Sequence, residues 1–174
     1  MNPRILVAGV GNIFLGDDGF GVEVARRLSR ASMPDGVTVA DFGIRGVHLA
    51  YQLLDDFELV VLVDAVSRGG VPGTLYVIEP EVDGRSGESI ADAHDMVLEH
   101  VFAQVRTLGG KLGRVLIVGC EAEDASERIG LSQPVQSAVD EAVRVVVELV
   151  SQRNSTATDH EKENSREAGT LKEL

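Results

Sequence analysis

The chain has 174 residues, a formal net charge of −12, 44% hydrophobic, 25% charged and 4% aromatic residues, one cysteine and no tryptophan. That length suits one domain with a real core, and the composition is that of a globular chain rather than a disordered or fibrous one. The acidic balance argues against nucleic acid or an anionic membrane as partner, because both call for a basic surface.

The predicted elements alternate. Residues 4–10 are a buried strand whose apolar run is too short for a signal peptide or a membrane span, so the expected location is cytoplasmic. Cys120, with no partner for an internal disulfide, agrees with a reducing compartment. A glycine-rich turn follows, Gly9-Val10-Gly11-Asn12-Ile13-Phe14-Leu15-Gly16-Asp17-Asp18-Gly19-Phe20-Gly21. Phe20, Val24, Leu28 and Ala31 then recur at helical spacing, with Glu23 and Arg27 four apart on the outside. Residues 37–41 read as a second strand and 47–54 as a second helix. Residues 59–64 are uniformly apolar up to Asp64, as in a central parallel strand covered on both faces. After a turn through Arg68-Gly69-Gly70-Val71-Pro72-Gly73, residues 74–78 form a shorter strand. Residues 79–92, rich in Gly, Ser and acids, form a long loop of the kind that tends to be functional. A helix over 95–108 places Met96, Val101 and Val105 on one face, and 114–119 is the last central strand. From Ser132, the positions Val135, Ala138, Val139, Ala142, Val145, Val146 and Leu149 define an amphipathic helix, with Pro134 in its first turn where a missing N–H costs nothing. Beyond Ser151 the sequence is polar and without periodicity, and is read as disordered. The pattern predicts an α/β fold, a three-layer α/β/α sandwich with a mostly parallel twisted sheet. It forms a single domain over residues 1–150 with a polar tail at 151–174.

Ligands of such sheets bind at the carboxyl ends of the strands. Asp17 and Asp18 follow the first strand, Asp41 the second, Asp64 the third, and Cys120 and Glu121 the last. Any one of these carboxylates could instead cap a helix or accept loop N–H groups, but several on one rim point to a site. Two adjacent acids are the wrong charge for cradling a phosphate, which the glycine turn alone would suggest; a cation or a polarised carbonyl suits them better. His94 sits between the long loop and a helix start. It reads either as a solvated loop residue or cap, or, with two carboxylates, as part of a ligand set for a divalent transition metal. His48 and His100 fall on helices and read as surface residues, His160 falls in the tail, and Cys120 reads as a buried thiol with no histidine beside it in sequence.

Gly9-Val10-Gly11-Asn12, Gly16-Asp17-Asp18-Gly19-Phe20-Gly21, Asp41-Phe42-Gly43, Val63-Asp64-Ala65, Pro72-Gly73-Thr74, His94, Val118-Gly119 and Leu131-Ser132-Gln133-Pro134-Val135 occur in the order found in hydrogenase maturation proteases. The chain resembles that family over residues 4–150. The resemblance implies an endopeptidase that removes the C-terminal extension of a nickel–iron hydrogenase large-subunit precursor after nickel insertion. It further implies that Asp18, Asp64 and His94 are the metal-contacting trio. Two stretches depart from the family pattern. Asp41-Phe42-Gly43-Ile44-Arg45-Gly46 replaces an Asp-Gly-Gly-Thr turn, adding bulk and a positive charge that fit a different substrate group. Gly119-Cys120-Glu121-Ala122-Glu123-Asp124 lacks the proline that relatives commonly place there, which leaves the shape of that loop open.

Serine, cysteine and zincin protease signatures are absent from the sequence, so a metal is the economical source of Lewis acidity. In the reading that the resemblance implies, nickel arrives with the precursor, held by the precursor's cysteines and completed by Asp18, Asp64 and His94. The free enzyme then has weak or no nickel affinity. Asp17 is a candidate general base, or else a helix N-terminal acid favoured by the dipole. Arg45 either steers the precursor or is a plain surface arginine. The expected partner is the precursor alone, the expected state a monomer. Three alternatives keep other chemistry open: a noncatalytic metal-sensing chaperone of the precursor, a Rossmann-like nucleotide-binding domain, and a two-aspartate peptidase using Asp17 and Asp18. The second suffers from acids where a pyrophosphate would approach, the third because neighbours in one turn rarely face each other.

Overall fold

The computed structural model describes residues 3–82 and 95–170, with side chains described over 3–82 and 98–153. Five strands, β1 (Ile5–Val10), β2 (Val37–Gly43), β3 (Leu59–Val66), β4 (Leu75–Ile78) and β5 (Arg114–Glu121), form one sheet in the order β2-β1-β3-β5-β4. β2, β1, β3 and β5 are parallel and β4 pairs antiparallel on the edge of β5. The helices are α1 (Phe20–Leu28), α2 (Gly46–Gln52), α3 (Asp95–Thr107) and α4 (Gln133–Thr170), with 3₁₀ turns at Gly16–Gly19 and Leu53–Asp55.

Alternation along the strands builds the two halves of the core. Ile5 and Val7 of β1, Val61 and Val63 of β3, and Leu116 and Val118 of β5 pack with Phe20, Val24 and Leu28 of α1 and with Val135, Val139, Ala142 and Val146 of α4. Leu6, Ala8, Val60, Leu62, Val115 and Ile117 point to the other side, against Leu49, Ala50 and Leu53 and against Leu98, Val101, Phe102 and Val105 of α3. Each such buried aliphatic side chain is worth about 1.5–3 kcal/mol of transfer free energy, which is what drives a doubly covered sheet to close. This is the α/β sandwich that the alternating pattern calls for. Among the described residues, no helix is long and apolar enough to cross a membrane.

Several boundaries differ from the sequence reading. β3 and β5 each run two residues further than the ends expected at 64 and 119, because the parallel ladder continues past Asp64↔Gly119 through Ala65↔Cys120 and Val66↔Glu121. Asp64 and Glu121 therefore lie inside strands rather than after them. α1 stops at Leu28, which leaves Ala31 exposed outside it. On α4, Val150 is fully buried while Val145 and Leu149 only flank the core. The segment after Ser151, expected to be irregular, continues the helix to Thr170. With neither Pro nor Gly between Val135 and Ala168, an established helix extends there without paying a second nucleation cost.

α1 sits unusually close to the sheet. A Cβ on Gly21 would lie 2.0 Å from the Val63 carbonyl oxygen and 2.4 Å from that of Val10. Glycine here lets the first turn of α1 rest on the backbones of β1 and β3, which fixes the direction in which the acidic turn leaves the sheet.

Candidate active site

β1 ends at Val10, and the N–H of the next residue, Gly11, donates to the Gly43 carbonyl at 3.0 Å, tying the turn to the end of β2. Gly11 has φ +128°, and a Cβ there would lie 1.8 Å from the Asp18 carbonyl oxygen and 3.6 Å from Asp64 Oδ1. One glycine is thus the meeting point of the 3₁₀ turn and of β3, and it brings together two acids that are far apart in the chain. Asp18 and Asp64 are 6% and 5% exposed. Asp18 Oδ2 accepts the Asn12 N–H at 2.8 Å, and Asp64 Oδ1 accepts the Ala65 N–H at 2.8 Å. Both line one cavity of about 190 Å³, whose other walls are Val10 and Gly11, the β2–α2 connection at Gly43, Ile44 and Gly46, Leu49 of α2, and Leu98 and Val101 of α3. Two buried carboxylates on one apolar cavity repel each other and resist desolvation; a cation placed between them relieves both costs.

His94 lies outside the described residues. α3 begins at the next position, and its Leu98 and Val101 form part of the cavity wall. His48 and His100 are exposed, as their helical positions suggest.

Asp17 has a different task from the one expected of a general base. It is fully buried, does not line the cavity, and turns to the β5–α4 connection. Its Oδ1 accepts the Ser132 N–H at 2.6 Å, while Oδ2 accepts the Ser132 hydroxyl at 2.8 Å and the N–H groups of Glu123 and Asp124 at 2.8 and 2.9 Å. Burial alone would push its carboxyl pKa up. The N–H groups of Ser132, Asp124 and Glu123, with the Ser132 hydroxyl, outweigh burial and hold the pKa below its ordinary value. A carboxylate so depressed and so fully engaged is a poor proton acceptor.

Glu121 makes a second clasp, on the other side of the sheet. It is 3% exposed and accepts the N–H groups of Arg68 and Gly69 at 3.0 Å and the Tyr76 hydroxyl at 3.1 Å. The Arg68 guanidinium stacks over the Tyr76 ring at 5.3 Å. Cys120 is fully buried in β5, where burial, followed by the charges of Asp17 and Glu121, pushes its thiol pKa up to about 12. That removes it as a nucleophile. Arg45 folds back on β2, donating to the carbonyls of Phe42 and Asp41 at 3.1 and 2.6 Å.

Acceptance of loop N–H groups, the alternative the sequence left open for these acids, holds for Asp17 and Glu121; what the sequence did not indicate is which loops they clasp, the β5–α4 connection and the loop after β3. For Glu121 the available signal was an acid continuing an apolar run; for Asp17 it was a second acid beside one already assigned.

Residues 22–149 match the hydrogenase maturation protease family. The hydrogenase expression/formation protein HoxM of Azotobacter vinelandii is 32% identical over 158 residues, covering 89% of this chain and 76% of that protein. Among solved structures, the hydrogenase-maturating endopeptidase HybD of Escherichia coli superposes with a TM-score of 0.73 at 28% identity, over 86% of this chain and 93% of that one. The hydrogenase 2 maturation peptidase of a Thaumarchaeota archaeon does so with a TM-score of 0.67 at 34% identity, over 85% and 98%. Agreement in sequence and in fold leads to one assignment: the chain belongs to the hydrogenase maturation protease family, and is a peptidase.

Proposed function

We propose that this protein is the endopeptidase that removes the C-terminal extension of a [NiFe] hydrogenase large-subunit precursor once nickel has been inserted, acting in the cytoplasm as a monomer. The observation that carries the reading is the pairing of Asp18 and Asp64, two buried carboxylates from separate elements on one cavity. Together with His94 they form an oxygen and nitrogen donor set without thiolates, which suits completing the shell of an ion held elsewhere by soft ligands better than retaining one alone. Nickel is thus part of the substrate, held by the precursor's cysteines, and supplies Lewis acidity at the scissile peptide. Asp18 and Asp64 orient the loaded precursor, and Leu49, Leu98 and Val101 form apolar walls beside them. Specificity follows from the chemistry: a precursor without nickel offers the two carboxylates no cation and does not dock productively.

The test is intact-mass analysis of a large-subunit precursor incubated with the full chain, with and without nickel loading, for wild type and for Asp18→Ala, Asp64→Ala and His94→Ala. Loss of one defined C-terminal peptide, only with nickel and only with all three side chains, is the expected result. Precursor that stays bound and uncut under every condition would replace the protease by a chaperone, and cleavage without nickel would sink the substrate-borne metal. Free protein should bind nickel weakly by calorimetry; tight binding would make nickel a resident ion instead.

A further inference from the structure

We propose that Asp17 is a positioning residue for cleavage: its carboxylate clasps the β5–α4 connection onto the 3₁₀ turn and thereby fixes the neighbouring Asp18 in the cavity. This rests on the protease reading of the Asp18 and Asp64 cavity. The turn that carries Asp18 is only four residues, Gly16–Gly19, and so short a 3₁₀ segment does not hold itself. Its support is external and comes from two sides. On one side the Asp18 carbonyl abuts Gly11, where no side chain intervenes. On the other, the turn and the connection exchange backbone hydrogen bonds, Asp17 N–H to the Asp124 carbonyl, Gly16 N–H to that of Arg128 and Arg128 N–H to that of Phe14, at 2.9 to 3.0 Å. The Asp17 carboxylate closes this frame. It gathers Glu123 and Asp124 at the start of the connection and Ser132 at its end, at the mouth of α4, where the helix dipole favours a negative charge.

An acid is a costly way to fill space in a core, since a buried charge demands compensation that an apolar residue does not. What it adds is the ability to collect several N–H donors from separate positions on one atom group. The connection so gathered has no helix or strand between β5 and α4, only an isolated bridge of Arg128 to Leu15, so its shape depends on such ties. Without the clasp, the wall behind the turn loosens, and Asp18 loses its registration against Asp64.

Two measurements on the full chain test this, with Asp17→Asn and the milder Ser132→Ala. The first is amide hydrogen exchange of the free protein. Asp17→Asn should speed exchange at Glu123, Asp124 and Ser132 by at least about tenfold while leaving the amides of β1 and β3 unchanged. The second is single-turnover cleavage of nickel-loaded precursor. Asp17→Asn should lower the rate at saturating precursor by about 10²-fold, with the half-saturating concentration within about threefold of wild type, at a temperature where both proteins are fully folded. Ser132→Ala, which removes only the hydroxyl bond, should lower the same rate by about tenfold. Activity that merely tracks the folded fraction, or unchanged exchange in Asp17→Asn, overturns the proposal. If Asp17→Asn does not fold, a wild-type rate in Ser132→Ala overturns it instead. Wild-type protein that leaves the precursor uncut sinks the protease reading and the positioning role with it, and is told apart from failure of the clasp because exchange needs no substrate.

Discussion

Replacing Gly11 by alanine should separate the placement of Asp18 from ordinary stability. At φ +128° alanine pays about 1–3 kcal/mol for the backbone alone. In a chain of this size that is a fall in Tm of about 5 °C, at about 2–4 °C per kcal/mol. The larger effect is steric. The new Cβ would sit 1.8 Å from the Asp18 carbonyl oxygen, whereas real Cβ atoms stay beyond 3.0 Å, so the turn must retreat by about 1 Å, a displacement that costs about 10²-fold in rate when it moves a reacting group. The assay is single-turnover cleavage of nickel-loaded precursor beside thermal unfolding of the same preparations. Gly109→Ala is the control: its φ is +80° and nothing lies within 4 Å of the added carbon, so it carries the backbone strain without the displacement. It should lower Tm by a comparable amount and leave cleavage untouched. A Gly11→Ala protein that cleaves at the wild-type rate, or a Gly109→Ala protein equally inactive, would refute the argument that close approach at Gly11 sets the site.

Gly21→Ala forces a methyl group against the carbonyls of Val63 and Val10 and should destabilise the fold by roughly 3 kcal/mol or more, seen as a large drop in the urea midpoint; an unchanged midpoint would deny the close seating of α1. Glu121→Ala removes the acceptor of the Arg68 and Gly69 N–H groups and of the Tyr76 hydroxyl, and should cost about 1–3 kcal/mol and speed exchange at those two amides. Unaltered exchange there would show that Glu121 does not hold the loop. Cys120 should resist iodoacetamide in the native protein and react readily once unfolded, and Cys120→Ala should retain cleavage; a nucleophilic cysteine would give the reverse on both counts. Because its pKa rises from 9.0 to about 12 on folding, the neutral thiol contributes stability that is whole below pH 9.0 and is lost as pH climbs toward 12. Wild type should therefore lose more stability than Cys120→Ala over that range in alkaline unfolding curves.

The layers were legible because each rests on local periodicity. The uniformly apolar run of β3 has to be covered on both faces, and the alternation of β1 divides Ile5 and Val7 from Leu6 and Ala8 between two helix layers. That Asp18 and Asp64 come to one rim was legible from their positions at the carboxyl edge, and the structure places both on one cavity. Periodicity was silent where hydrogen-bond partners decide. Nothing in Gly119-Cys120-Glu121 says that the ladder continues through an acid, because the acid's donors, Arg68, Gly69 and Tyr76, lie about fifty residues away. The polar run after Ser151 has no apolar stripe, so composition argued against order, yet the backbone needed only an intact helix to extend.

The division of labour between Asp17 and Asp18 follows from the geometry of the turn. In a 3₁₀ segment successive side chains diverge by about 120°, so two adjacent acids cannot share a target. One reaches into the cavity beside Asp64; the other is aimed away from it, at donors on the β5–α4 connection. A pair of carboxyls facing across a shared proton, as a two-aspartate peptidase needs, is therefore incompatible with this turn, while a cation bridging Asp18 to an acid on a different strand is not. The divergence gives the two acids separate compensation: Asp17 is repaid by loop N–H groups, and on the proposed function Asp18 is repaid by the cation that the substrate brings. Neutralising Asp17 should loosen the β5–α4 connection in the free protein, which amide exchange reads without substrate, whereas on the proposed function neutralising Asp18 should chiefly lower cleavage of nickel-loaded precursor.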